Sequence, residues 1–160
     1  MRILITGGAG YIGTAMIREL CCNHEVEQIV VFDNLSRKNY NLFFNQNFSD
    51  KKLQFIKGEL LDSRLLRKVV KTADAVIHLA AKVTTPFASE DAHLFEQVNH
   101  WGTAELVYAV EDSNVKKFIY LSSSSVYGVS ENYTGYLQIP NPVTVYGISK
   151  LRGEEHVARL

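Results

Sequence analysis

The sequence predicts an α/β fold: a doubly wound parallel sheet with helices on both faces. Short apolar runs recur at Arg2–Thr6, Gln28–Phe32, Leu53–Lys57, Ala75–Leu79 and Lys117–Leu121. Stretches with helical spacing separate most of them, and such alternation implies parallel strands joined by right-handed crossovers. The fourth run is apolar throughout, as a strand covered on both faces should be.

Each element has its own justification. Arg2-Ile-Leu-Ile-Thr6 is β-branched and short, hence a strand. The turn Gly7-Gly8-Ala9-Gly10-Tyr11-Ile12-Gly13 follows, then a helix over Thr14–Cys22. Gln28–Phe32 is the second strand, closed by Asp33, and the polar stretch Asn34–Asn39 is a loop. Tyr40–Phe48 holds four aromatics among asparagines and reads as a short helix at the sheet edge. Leu53–Lys57 alternates as a third strand, and Gly58–Asp62 is a loop. Asp62 is placed to cap a helix through Val70, with Leu65, Leu66, Val69 and Val70 on one side. Ala92–Asp112 reads as one long helix with Val98, Trp101, Leu106, Tyr108 and Val110 on its buried face. Gly128–Thr144 carries two of the three prolines and reads as a long loop, and Val145–Leu160 as a last helix. Residues 1–160 are long enough for one domain with a real core.

Composition narrows the classes. Lysine plus arginine and aspartate plus glutamate both number 17, so the chain carries no basic excess for nucleic acid. No apolar run approaches the ~18–20 residues that span a bilayer, and the first residues do not read as a signal sequence. Cys21 and Cys22 are adjacent and have no other cysteine to bridge to. They read as reduced, partly buried helix residues in a cytoplasmic protein. No His/Cys/Asp spacing suggests a metal site. His78 reads as a hydrogen-bonded core histidine.

Two constellations carry chemistry. The first is strand, glycine turn, helix, strand, acid. The glycines read as G-x-G-x-x-G (Gly8, Gly10, Gly13) or as G-x-x-G-x-x-G (Gly7, Gly10, Gly13), and Asp33 stands twenty residues beyond Gly13. Such glycines serve a tight turn, close backbone approach to a pyrophosphate, and close helix–strand packing. The helix N-terminus offers free N–H groups to the phosphates, and Asp33 a carboxylate to the ribose hydroxyls. Arg37 and Lys38 could meet a 2′-phosphate, but Asp33 repels one, so NAD is favoured over NADP. The second constellation joins the run Ser122–Ser125 to Tyr146 and Lys150, which are i and i+4 on one helix face. A phenol is a poor base at neutral pH, and a neighbouring ammonium stabilises its phenolate. A serine hydroxyl can hold a substrate oxygen while the tyrosine moves the proton, which is the chemistry of hydride transfer at a secondary alcohol.

Together these segments resemble the extended short-chain dehydrogenase/reductase family, specifically its NAD-dependent epimerase/dehydratase group acting on nucleotide sugars. Thr6–Gly13 is similar to the family's phosphate turn, and Asp33-Asn34 to its ribose-binding strand end. His78-Leu79-Ala80-Ala81 resembles the fourth-strand signature lining the cofactor, and Asn99 the helix asparagine near it. Ser122–Gly128 and Tyr146–Lys150 resemble the catalytic segments. The resemblance implies a Rossmann fold and cofactor contacts from Gly7, Gly10, Tyr11, Ile12, Gly13, Asp33, Asn34, Leu79, Ala80, Ala81, Lys82, Asn99, Tyr146 and Lys150. It implies catalysis by Tyr146 and Lys150 with Ser123, and Ser124 adjacent on the substrate side. Where the family usually has an aspartate meeting the adenine amino group, this chain has Glu59, beside Leu60; the longer carboxylate can still accept that bond. Lys82 is either a ligand of the pyrophosphate or nicotinamide ribose, or a solvated lysine. The family's dehydratases carry an acid pair before Val-Tyr-Gly, where this chain has Ser124 and Ser125. The expectation is therefore a 4-epimerase. Dehydratase or dehydrogenase/reductase chemistry and a non-catalytic NAD-binding regulator are the alternatives. Family members are about twice this length, which implies that most of a C-terminal substrate lobe is lacking here and that this piece alone is inactive. Many dimerise through the last two helices, so a homodimer is expected by analogy.

Overall fold

A computed structural model describes residues 1–44, 52–83, 91–129 and 139–160. Among them, β1 (Arg2–Thr6), β2 (Gln28–Asp33), β3 (Leu53–Lys57), β4 (Ala75–His78) and β5 (Lys117–Tyr120) form one sheet. All neighbours are parallel and the order is β3-β2-β1-β4-β5. The helices are α1 (Tyr11–Cys22), α2 (Ser63–Val70), α3 (Ala92–Phe95), α4 (Gly102–Glu111) and α5 (Val145–Val157). This is the Rossmann arrangement. The chain leaves β1 toward β2 on one side and reaches β4 on the other. The crevice beyond the carboxyl ends of β1 and β4 is the ligand-binding place of such sheets.

Strand alternation sends side chains into two cores. Ile3, Ile5, Val31 and Ile77 face Ile17 of α1. Leu4, Val30 and Val76 face Leu66 and Val70 of α2 and Leu106 of α4. Burying each such side chain stabilises the fold by ~1.5–3 kcal/mol. The register pairs Thr6 with both Phe32 and His78, which brings the ends of β1, β2 and β4 level and opens the turns after them to one crevice. Asp62 caps α2 as its sequence suggests, accepting from Leu65 N at 3.1 Å.

Several sequence expectations need correction. α1 starts at Tyr11, three residues before Thr14, because Gly10 takes the N-cap position with extended backbone. The 92–112 stretch is not one uniform helix. Between α3 and α4 a π-helical segment, Glu96–Trp101, widens the turn. That extra width changes the phase of the helix, and Trp101 (57% exposed) and Tyr108 (38% exposed) lie outward rather than in the core. Val98 packs on the core only in part. Cys22 is exposed and Cys21 half-buried, both as free thiols. In Tyr40–Phe48 the described part forms a single 3-10 turn, Asn41–Phe43; residues 45–48 lie outside the described residues. The same holds for 130–138 within the 128–144 loop, whose described flanks, 128–129 and 139–144, are irregular chain. α5 stops at Val157. Among the described residues, no helix is long and apolar enough to cross a membrane.

Candidate cofactor cleft and catalytic helix

The glycine turn is shaped by contacts that exclude side chains. Gly7 has φ +71°, and a Cβ there would lie 2.4 Å from Ala80 N. A Cβ on Gly13 would lie 2.5 Å from Gly8 Cα, so the turn after β1 and the start of α1 meet backbone to backbone. A Cβ on Gly10 would meet only Gly7 O, at 3.1 Å, and would otherwise stand in the open cleft. The turn is further tied to β2: Asp33 Oδ2 accepts from Ala9 N at 3.1 Å and Oδ1 from Leu35 N at 2.8 Å. Each carboxylate oxygen keeps a lone pair for a second donor.

A cleft of about 910 Å³ opens there. Gly7, Gly10, Tyr11, Ile12 and Gly13 line it from the turn and α1, and Asp33 and Asn34 from the end of β2. Glu59 and Leu60 line it after β3, and Leu79, Ala80, Ala81 and Lys82 after β4. All thirteen were singled out from the sequence. Ser36, Gln97, Val98 and Leu121 also line it and were not; only their place in the fold, after β2, on the π segment and after β5, marks them. Glu59 Oε2 accepts from Asn34 Nδ2 at 2.9 Å, which fixes both polar groups at one rim. Lys82 Nζ pairs with Asp91 at 3.8 Å.

Asn99 is nearly inaccessible at 1% exposure and spends its amide on the protein. Its Oδ1 accepts from Lys82 N at 2.8 Å, and its Nδ2 donates to Lys82 O at 2.9 Å and Ser149 Oγ at 3.0 Å. It holds the cleft wall from behind instead of lining it, which position in sequence could not reveal. Behind it runs a second chain. Thr103 Oγ1 donates to Asn99 O at 2.6 Å and therefore accepts from His78 Nε2 at 2.9 Å. His78 Nδ1 then accepts from Thr6 Oγ1 at 2.6 Å. His78 is the core histidine expected, and burial pushes its pKa down to about 3, with the Lys150 charge adding to it.

The candidate catalytic segments converge on the end of β5. Thr144 caps α5 through its hydroxyl, which accepts from Gly147 N at 3.0 Å. This sets Tyr146 and Lys150 on successive turns. The Tyr146 ring packs edge-on against Phe95, centroids 6.3 Å apart. Lys150 is 2% exposed, and its ammonium donates to Leu121 O at 2.6 Å. Leu121 itself lines the cleft, so Lys150 stands directly behind that wall. Burial pushes Lys150 down to about 8, opposed by the charge of Glu154. Ser123 Oγ caps the 3-10 segment Ser124–Tyr127 by accepting from Ser125 N at 3.2 Å, leaving its O–H free to donate elsewhere. Ser124 is exposed beside it. Ser123, Ser124, Tyr146 and Lys150 lie next to the cleft but are not among the residues lining it.

The residues fit a bound dinucleotide: free N–H groups at the start of α1, a bare Gly10 where a phosphate must approach, and an acid at the end of β2. Among the described residues, no group of three His, Cys, Asp or Glu side chains gathers for a metal ion.

Fold and cleft define a dinucleotide-binding α/β protein carrying a tyrosine–lysine helix. The chain belongs to the NAD-dependent epimerase/dehydratase family, whose model matches residues 3–160. It is 31% identical over 161 residues to a UDP-glucose 4-epimerase of Lactobacillus helveticus, covering 99% of this chain and 46% of that protein. It is 35% identical to the human dTDP-D-glucose 4,6-dehydratase, covering 96% of this chain and 44% of that one. The chain thus spans about half the length of the curated relatives it matches. A UDP-glucuronic acid 4-epimerase from Bacillus cereus, solved with UDP-glucuronic acid and NAD, superposes with a TM-score of 0.89 at 28% identity, over 99% of this chain and 52% of that one. The family's cofactor is NAD.

Proposed function

We propose that these residues are the NAD-binding part of a nucleotide-sugar 4-epimerase. The observation that carries this reading is the Lys150 ammonium bonded to Leu121 O, which sets a tyrosine–lysine pair against the wall of the dinucleotide cleft. The N–H groups of Tyr11, Ile12 and Gly13 hold the diphosphate over the bare Gly7 and Gly10, Asp33 the adenine-side ribose, and Glu59, beside Leu60 and braced by Asn34, the adenine amino group. The walls Leu79–Lys82 and Asn34 flank the cofactor, with Asn99 fixing Lys82, and Lys150 reaches the nicotinamide ribose. NAD supplies a hydride acceptor that later returns the hydride.

Tyr146 takes the proton of the sugar 4-hydroxyl as the C4–H hydride leaves. Lys150 stabilises the phenolate by its charge. Ser123 donates its free O–H to the same sugar oxygen, and Ser124 borders the sugar. Return of the hydride to the opposite face of the 4-keto sugar inverts C4.

The 35% identity to a dehydratase favours 4,6-dehydration as a second reading. Ser124 and Ser125 weigh against it, because eliminating water needs an acid and a base on the sugar and serine is neither at neutral pH. Dehydrogenase/reductase activity and cofactor-dependent regulation are the remaining readings. The partner is a nucleotide sugar, with neither nucleic acid nor membrane involved. A homodimer through the outward faces of α4 and α5, in the cytoplasm, completes the proposal; exposed Trp101 and Tyr108 support that face.

The test uses the full-length protein with a panel of UDP- and dTDP-sugars, following the C4 configuration by NMR. Tyr146→Phe should keep NAD and lose at least ~100-fold in turnover. Unchanged turnover in that variant overturns the mechanism. An accumulating 4-keto-6-deoxy sugar moves the assignment to dehydratase.

A further inference from the structure

Tyr120, the last residue of β5, touches Lys150 twice. Its O–H donates to the Lys150 carbonyl oxygen at 3.2 Å. Its ring lies under the Lys150 ammonium, 4.0 Å from centroid to Nζ. The same residue is therefore held at its backbone and at its charged end, while a different N–H of the ammonium reaches Leu121 O. Space for this arrangement comes from one position. A Cβ on Gly153 would lie 2.4 Å from the Tyr120 hydroxyl, so α5 can sit this close to β5 only with glycine there. The imidazole of His78 lies 5.5 Å from the Tyr120 ring at a 30° tilt.

We propose that Tyr120 is a positioning residue for the tyrosine–lysine pair, fixing the seating of α5 through the carbonyl and the place and charge of the Lys150 ammonium through its ring. The catalytic consequence rests on the function proposed above; the grip itself does not.

The physical reason is charge. A buried ammonium loses most of its hydration, and an aromatic face returns part of that stabilisation when water is excluded. Around Lys150, the carboxylate of Glu154 on α5 favours the positive form. His78 from β4 is held neutral by its burial, and Thr103 from α4 is uncharged. The Tyr120 phenol is pushed up by burial, so it stays a neutral donor. With Lys150 already lowered to about 8, a further drop of about one unit on loss of the ring leaves it only about half charged at neutral pH.

The experiment titrates the full-length protein carrying lysine labelled with carbon-13 at Cε, with the Lys150 signal assigned through Lys150→Arg. Tyr120→Leu should lower its midpoint by about one unit, equivalent to tenfold in proton affinity, and reduce kcat about twofold at pH 7 with KM for the sugar nucleotide unchanged. Tyr120→Phe, which keeps the ring, should leave the midpoint within a few tenths of a unit. Tyr120→Met, unbranched and able to adapt to the space the ring leaves, repeats the measurement if the leucine variant does not fold. A midpoint unchanged in the leucine or methionine variant overturns the proposal. A lowered midpoint in an enzyme that turns over no nucleotide sugar supports the grip and overturns the function instead.

Discussion

His78 shows how one buried side chain can tie the sheet to α4 without lining the cleft. Its two nitrogens are satisfied by Thr6 and Thr103, one as acceptor and one as donor, and this works only for the neutral ring. Its pKa in the fold, about 3, lies below the ordinary 6.5. Between those values the unfolded chain binds a proton that the folded chain refuses, so stability falls as pH drops from about 6.5 toward 3. The full effect approaches ~5 kcal/mol at 1.36 kcal/mol per unit. Urea denaturation across that window should show the fall, and in His78→Gln, less stable at pH 7, the slope should flatten. An equal slope in both proteins would place the acid sensitivity elsewhere. At this scale the glycine turn and Asp33 were legible in the sequence, because positive φ and backbone contact leave few other residue choices. Tyr120 was not legible: its partner lies thirty residues on, and a tyrosine ending an apolar strand has no distinguishing pattern.

Among the elements, α5 and β5 depend on a single missing methyl. Gly153→Ala should cost roughly 1–3 kcal/mol, because the new Cβ meets both the Tyr120 hydroxyl and, at 2.9 Å, Asn99 O. Tyr120→Phe removes the first of these clashes only. The double variant should therefore recover part of the loss, with a coupling of at least ~0.5 kcal/mol in thermal or urea unfolding. Additive losses would show that the helix moves as a body instead. The turn itself makes a sharper demand. Gly7→Ala would put a Cβ into the backbone of Ala80 at a left-handed φ, and NAD affinity should fall at least ~10-fold, measured by calorimetry on the full-length protein. The strands and α2 followed from periodicity and a capping aspartate. The π segment did not, because its wide turn arises from packing: Gly102 leaves room against Leu60 and Asn99 spans to Lys82 and Ser149, contacts that no local pattern announces.

Across the whole molecule, the two faces of the sheet are unequally covered. The side holding Leu4 and Val76 is packed by α2 and α4. On the α1 side, Ile77 is buried but its neighbour on β5, Ile119, is 56% exposed. Ile12 and Leu121 are also open, at 50% and 42%. Residues 1–160 should bind the dye ANS well above the level of a well-packed single domain of the same size, since apolar surface of this kind is rarely left bare. Dye binding no higher than that of such a domain would mean that Ile119 and its neighbours are covered in solution. The fold class was legible at this scale because strand–helix alternation admits few topologies. The uneven cover was not, since the same apolar residues suit either a covered or a bare sheet face.

The wide turn at Glu96–Trp101 also constrains how the gene can vary. One residue corresponds to about 100° of helix rotation. A wide turn absorbs one surplus residue, so a single-codon deletion inside that segment should revert it to ordinary helix while Thr103, Leu106 and Val110 keep their faces. A second deletion has no surplus to remove: it would swing everything downstream by that angle, carry Leu106 and Val110 off the sheet and part Thr103 from His78.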